Sequence, residues 1–261
     1  MATILSSTTS SCWKKNWPKF RQRISCISAA SHYAESRALN MDRVVRPEMI
    51  DTGEGSPAEI AESLRDMQFL NRAFGGEATT LRMIRKIAGR SAQGDLSLLE
   101  IGAGFGKVPL AARKALAPSG IRLNVTLLDR VHLHLNHEER CVVGDALALP
   151  FRDASFDVVS CCLFAHHLEP RELLDYSNEA LRVARIAVLI NDLVRHPLHF
   201  ALAYAARPMY RSRLTRHDAP VSVRRAYTRN EMHEILAGSA AAKVEVEQRY
   251  LYRMGAIAWK H

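Results

Sequence analysis

Leu98-Leu99-Glu100-Ile101-Gly102-Ala103-Gly104-Phe105-Gly106 decides the reading of this chain. Apolar residues around a single acid run into three alternating glycines, and the Ala-rich stretch Lys107–Leu116 follows. A buried strand that ends in glycines and gives way to a helix lets backbone N–H groups and a helix N-terminus come close to a ligand. A dinucleotide fingerprint, G-x-G-x-x-G, would put its third glycine at position 107, where Lys107 stands. What remains is acid-x-G-x-G-x-G, with Glu100 at the strand tip. A carboxylate there repels a pyrophosphate and attracts a cation. The spacing therefore argues against a nicotinamide dinucleotide and for a positively charged, non-phosphorylated nucleoside.

Outward from this stretch, strands and helices alternate. Leu123–Asp129, Glu139–Asp145, Phe156–Phe164 and Arg185–Asp192 read as strands, and Arg171–Arg182 as a helix. Apolar strands separated by helices predict a parallel sheet covered on both faces. Lys243–Lys260 predicts two closing strands, joined at Gln248–Tyr252 or at Met254-Gly255. Upstream, Ser56-Pro57-Ala58-Glu59 has the form of a capping box, and Ile60, Leu64, Met67 and Phe74 recur at helical spacing up to Gly75-Gly76. A second helix is expected from Glu77 to Ala88. The predicted fold is α/β: a Rossmann-like, doubly wound, mostly parallel seven-stranded sheet with an antiparallel last strand. Residues 35–90 would form an N-terminal helical appendage, residues 91–261 the main domain, and residues 193–230 a helical cap inserted in it.

With Glu100 and the glycines in place, the chain from Glu77 to Lys260 resembles the class I S-adenosylmethionine-dependent methyltransferases. Val142–Phe151 (VVGDALALPF) is similar to the family's G-D-A-x-x-L-P-F segment, and Phe156–Pro170 to the strand and turn beside the transferred methyl. The resemblance implies S-adenosyl-L-methionine as cofactor. It would be held by Glu100, Gly102, Ala103, Gly104 and Gly106, by Asp129 with Arg130 at the ribose, by Asp145 with Ala146 at the adenine, and by Cys162. Three acids at consecutive strand ends fit this reading, because ligands of open α/β sheets bind at those ends. Only Arg130–Arg140 separates Asp129 from the next strand, so the helix usual at that point is short or missing. His132, His134 and His137 in that connection have no well-placed Cys or carboxylate partner and read as solvated; no metal site is expected.

The acceptor is read from what is absent as well as present. No N/D-P-P-Y/F follows the fourth strand and no Pro-Cys element accompanies Cys161-Cys162. Adenine, glutamine-amide and cytosine acceptors lose their usual residues, and nothing indicates an RNA-binding module. His166 and His167 fall where the acceptor meets the methyl group, and a histidine is a suitable base for a phenol or enol. Asn191-Asp192-Leu193 with Arg195 resembles the ubiquinone, menaquinone and polyketide-tailoring enzymes. That likeness implies methyl transfer to O or C of a phenolic, quinone-like or polyketide-like small molecule. Asn191, Arg195, Tyr210 and Arg213 are the candidate acceptor contacts. Two other readings use the same residues: a protein or RNA methyltransferase docking through an arginine-rich cap, and a catalytically silent module of the same fold.

Charge and cysteines bound the remainder. The chain of 261 residues is 48% hydrophobic and 24% charged, which excludes a disordered or fibrous protein. Its formal charge of +9 is concentrated in two segments. Residues 1–34 carry Lys14, Lys15, Lys19, Arg21 and Arg23 and no acid; residues 193–230 hold eight arginines against Asp218 alone. The second cluster suits an anionic or carrier-bound acceptor, or peripheral contact with an anionic membrane. No apolar run is long enough to span a bilayer. Cys12, Cys26, Cys141, Cys161 and Cys162 form no CxxC pair, which fits a reduced, cytoplasmic setting. Residues 1–34 read as a disordered basic tail or as sequence upstream of a start at Met41; organelle import is the alternative.

Overall fold

In the computed structural model, residues 41–89, 94–132, 135 and 139–261 are described; what is expected of residues 1–40, His134 and His137 lies outside them. Helix α1 (Pro57–Ala73) starts at the capping box, where Ser56 and Glu59 bond each other's backbone N–H groups. Then come α2 (Gly76–Ala88), β1 (Asp95–Ile101), α3 (Lys107–Leu116), β2 (Arg122–Asp129), β3 (Arg140–Val143) and β4 (Phe156–Cys162). Next are α4 (Pro170–Val183), β5 (Ala184–Leu193), α5 (Pro197–Ala205), α6 (Arg213–Arg225), α7 (Arg229–Ala237), β6 (Lys243–Gln248) and β7 (Arg253–Trp259).

The seven strands lie in the order β3-β2-β1-β4-β5-β7-β6. β7 runs antiparallel to both its neighbours and the other pairings are parallel, as the sequence predicts. The turn between β6 and β7 falls at residues 249–252, the first of the two expected positions. Alternate residues feed two cores. Leu99, Ile101, Val159, Val188 and Ile190 face Leu173, Tyr176, Met232 and Leu236 of α4 and α7. Leu98, Val158, Leu189, Ile257 and Trp259 face Met83, Ile84, Ile87, Ala112 and Leu116 of α2 and α3. Each buried Leu, Ile, Val or Met among them stabilises the fold by about 1.5–3 kcal/mol.

This packing corrects the expected appendage. α2 is one of the layers covering the sheet, and it lies so close to β7 that a Cβ on Gly255 would sit 2.9 Å from Met83 Sδ. α1, in contrast, packs on α6: Ser63 Oγ and Thr215 Oγ1 are 3.0 Å apart, and Asp66 accepts the backbone N–H groups of Arg211 and Ser212. α1, α5, α6 and the segment Met41–Ser56 thus gather on the side of the sheet where the parallel strands end.

Candidate active site

The site is built on the strand ends. Register puts Ile101 beside Leu128 and Cys161, Asp129 beside Val143, and Cys162 beside Asn191. The glycine loop is tied to β2: Ala103 N–H donates to Leu128 O at 3.1 Å and Gly104 N–H to Asp129 Oδ2 at 2.9 Å. Gly102 (φ 60°) must be glycine because the Phe164 ring occupies the place of its Cβ, 2.6 Å away. Gly104 (φ 49°) has nothing within 4 Å of that position, so its backbone faces open space. That is the approach a ligand needs. Gly106 lets α3 start against Leu127, 2.7 Å from where a Cβ would be.

Three acids mark this edge. Glu100 is buried and accepts the Ser160 hydroxyl; burial pushes its carboxyl up to about 7, against the lowering effect of Ser160. Asp129 Oδ1 accepts Val131 N–H at 3.0 Å, so both its oxygens orient backbone. Asp145 is exposed and closes a turn by accepting Leu147 N–H at 2.9 Å, with Ala146 buried beside it. Arg130 is exposed next to Asp129.

The turn after β4 carries the most elaborate chemistry. Asp192 receives His166 Nδ1 at 2.7 Å, His166 backbone N–H at 3.0 Å and Leu193 N–H at 2.7 Å. His166 Nε2 faces Glu48 Oε1 at 3.5 Å, and Glu48 is buried under Ser222 and Arg225 of α6. Burial alone would lower the His166 pKa, but the carboxylates of Asp192 and Glu48 hold it up at about 10. His166 is thus an imidazolium with both nitrogens committed. His167, its ring 4.3 Å from that of His166, is held through Nδ1 by Asp51 at 2.8 Å. Glu48, His166 and His167 bring three donor atoms within 4.8 Å of one another. Glu48, Asp51 and Asp192 face the cationic groups of His166, Arg225 and Arg253, which hold all three carboxyls below their ordinary range.

Residues 99–188 match the family model of a methyltransferase domain, and they span this glycine loop, these acids and this turn. That match covers about a third of the chain, and the seven-stranded order around it, with β7 antiparallel, is the Rossmann-like fold the sequence predicts. No curated protein matches it in sequence. Among solved structures, the citrinin polyketide synthase CMeT domain is similar at TM-score 0.58 and 14% identity, over 82% of this chain and 60% of that one. The CurJ carbon methyltransferase follows at TM-score 0.54 and 15% identity, over 81% and 63%. A SAM-dependent methyltransferase from Aquifex aeolicus, at 0.51 and 16%, is covered over its whole length by 80% of this chain. At these identities the likeness is one of fold, and the chain spans less than two thirds of the first two.

On the acceptor side, the structure rearranges the expected residues. Arg195 is buried, with Nε on Met41 O (2.6 Å), Nη1 on Ala226 O (2.7 Å) and Nη2 on Glu231 (2.5 Å). All three nitrogens are spent on holding segments of the fold, so Arg195 is a clamp and not an acceptor contact. Arg213 is likewise paired, with Glu59 of α1 at 2.6 Å, and Tyr210 is buried beside Asp66. Asn191 gives its Nδ2 to Gly76 O and Thr80 Oγ1, both at 2.7 Å, while its Oδ1 is buried without a partner. Cys162 lies at the edge with its thiol pushed by burial up to about 12, and donates to Asn71 Oδ1 at 3.9 Å. Sequence reasoning missed Arg253, which is buried at the start of β7, gives Nη2 to Asn71 and leaves Nη1 unpartnered. It also missed Glu48 and Asp51, lone acids in a loop with no pattern to reveal them.

Proposed function

We propose that the chain methylates an oxygen or carbon of a small phenolic, quinone-like or polyketide-like acceptor that must lose a proton as the methyl group arrives. The observation that carries this reading is the His166–Asp192 pair on the turn after β4. Asp192 fixes the imidazole with Nδ1 donating, which leaves Nε2 as the atom able to take a proton. Glu48 occupies that position, so the acceptor enters by replacing it. As Glu48 is displaced it takes the Nε2 proton on its own carboxylate, so His166 is left neutral and Nε2 becomes a base. The unpartnered Arg253 Nη1, on a cation that Asp192 also feels, suits the phenolate or enolate oxygen left behind.

The cofactor would lie over the glycine loop, with Gly104 giving backbone access, Glu100 beneath it, Asp129 toward the ribose and Asp145 toward the adenine. When bound, it supplies an electrophilic methyl group. The chain's own task is to exclude water, orient the acceptor and hold its proton. Asp192→Asn tests the reading. It should lower kcat by about a hundredfold or more, the usual worth of a general base, while S-adenosylmethionine affinity stays unchanged. A variant that binds cofactor and methylates its acceptor at the native rate would overturn it.

A further inference from the structure

The arginines of the cap and of residues 43–46 differ in their partners. Arg195, Arg213 and Arg225 each lie within 4.0 Å of a carboxylate, as does Arg43 below them. Arg46, Arg207, Arg216 and Arg224 have no carboxylate partner among the described residues. These four converge. They line a cavity of about 200 Å³ between α5, α6 and residues 44–46, with Phe200, Tyr204 and no acid in its wall. Arg207 lies over the Tyr204 ring at 4.9 Å and Arg224 over Phe200 at 5.8 Å. Arg224 Nε is buried without a partner. Four uncompensated cations around one hollow raise each other's energy unless an anion joins them.

Beside this hollow, α5 (PLHFALAYA) is apolar around most of its circumference, and Ala203 alone is buried. Leu198 is 53% exposed, Leu202 51%, Tyr204 56% and, just past the helix, Met209 78%. A water-soluble face rarely gathers large apolar side chains with unpaired arginines in this way. A phospholipid surface takes both: apolar side chains enter the acyl boundary while arginines meet the phosphates. Residues 1–34 are acid-free and basic, so their charge does not complement the hollow.

We infer that this face docks on an anionic membrane, with a lipid phosphate in the hollow of Arg46, Arg207, Arg216 and Arg224 and with Leu198, Leu202 and Met209 in the bilayer interface. The inference does not depend on the acceptor proposed above, because vesicle binding is read without methyl transfer. The test is co-sedimentation of the full chain with phosphatidylcholine vesicles, with and without phosphatidylserine. The parent protein has Lys14, Lys15, Lys19, Arg21 and Arg23 changed to Gln, so that residues 1–34 do not bind vesicles by their own charge. The parent should bind only vesicles containing phosphatidylserine, and bind less as salt rises. Changing the four arginines to Gln should cost about fivefold each, several hundredfold together. Changing Leu198, Leu202 and Met209 to Ser should cost about tenfold each while leaving the melting temperature in place. Equal phosphate added as inorganic phosphate should not displace the protein. No binding to anionic vesicles, or binding indifferent to the serine changes, would overturn the inference. So would phosphate, or a phosphopantetheinylated carrier protein, binding the hollow while vesicles do not.

Discussion

Glu48→Gln should free the imidazole of His166. In the native chain His166 lies between Asp192 at 2.7 Å and Glu48 at 3.5 Å, and its pKa stands at about 10. At that second separation, with the screening usual for protein sites, one carboxylate contributes about 4 kcal/mol, or about three pH units at about 1.4 kcal/mol each. The variant's His166 should therefore titrate near neutrality, since Asp192 still offsets the cost of burial. Glutamine keeps the shape and can still meet Ser222, so the fold should survive. Because the native pKa is raised above the unfolded value, His166 stabilises the fold fully below about pH 6.5, and that contribution is lost as pH rises through about 10. In Glu48→Gln the loss should come about three pH units earlier. Carbon-13 imidazole resonances followed against pH give the titration directly. Between pH 7 and 8 the neutral imidazole should rise from about one part in a hundred to a large share of the population, and kcat/KM should rise with it. A native His166 titrating near its ordinary value, or a titration unmoved in the variant, would refute the reasoning.

Three further outcomes follow from the same geometry. Gly104→Ala, which adds a methyl group to open space at φ 49°, should weaken S-adenosylmethionine by tenfold or more in calorimetry; the left-handed backbone should cost about 1–2 kcal/mol of stability. Because the Glu100 carboxyl stands at about 7, cofactor affinity should increase as pH rises through 7 and its binding should release a proton; Glu100→Gln should abolish both in calorimetry across buffers of different ionisation heat. Arg195→Met breaks three charged hydrogen bonds in the interior and should cost about 3 kcal/mol in urea unfolding, with the acceptor KM unchanged in the surviving folded enzyme.

The sheet was legible because its strands carry their message locally. Runs such as Leu98–Leu99 with Ile101 and Ala187–Ile190 put apolar residues on both faces, and their spacing allows little besides a covered parallel sheet. The glycine loop was legible because Gly102, Gly104 and Gly106 all take a positive φ within one turn of chain, although the side chains that crowd Gly102 and Gly106 come from elsewhere in the fold. The acceptor side was not. Arg195 looks like a free cation in the sequence, but its three partners lie at Met41, Ala226 and Glu231, which only the tertiary fold brings together. Glu48 is 118 residues from His166 and Asn71 is 182 from Arg253, and no period or motif announces either pairing. α2 was misread as an appendage because its apolar face, Met83, Ile84 and Ile87, fits a local helical pair as well as a sheet.

The central claim is proton removal by the His166–Asp192 pair during methyl transfer to an acidic small molecule. The most direct measurement gives the full chain S-adenosylmethionine labelled in its methyl group, together with a panel of phenols, quinols and β-ketoacyl thioesters, beside its Asp192→Asn variant. The account predicts label in at least one acidic acceptor with the native chain, and its near loss in the variant at equal cofactor occupancy. Label entering acceptors equally well in both proteins, or no acceptor labelled although the cofactor is bound, would contradict it.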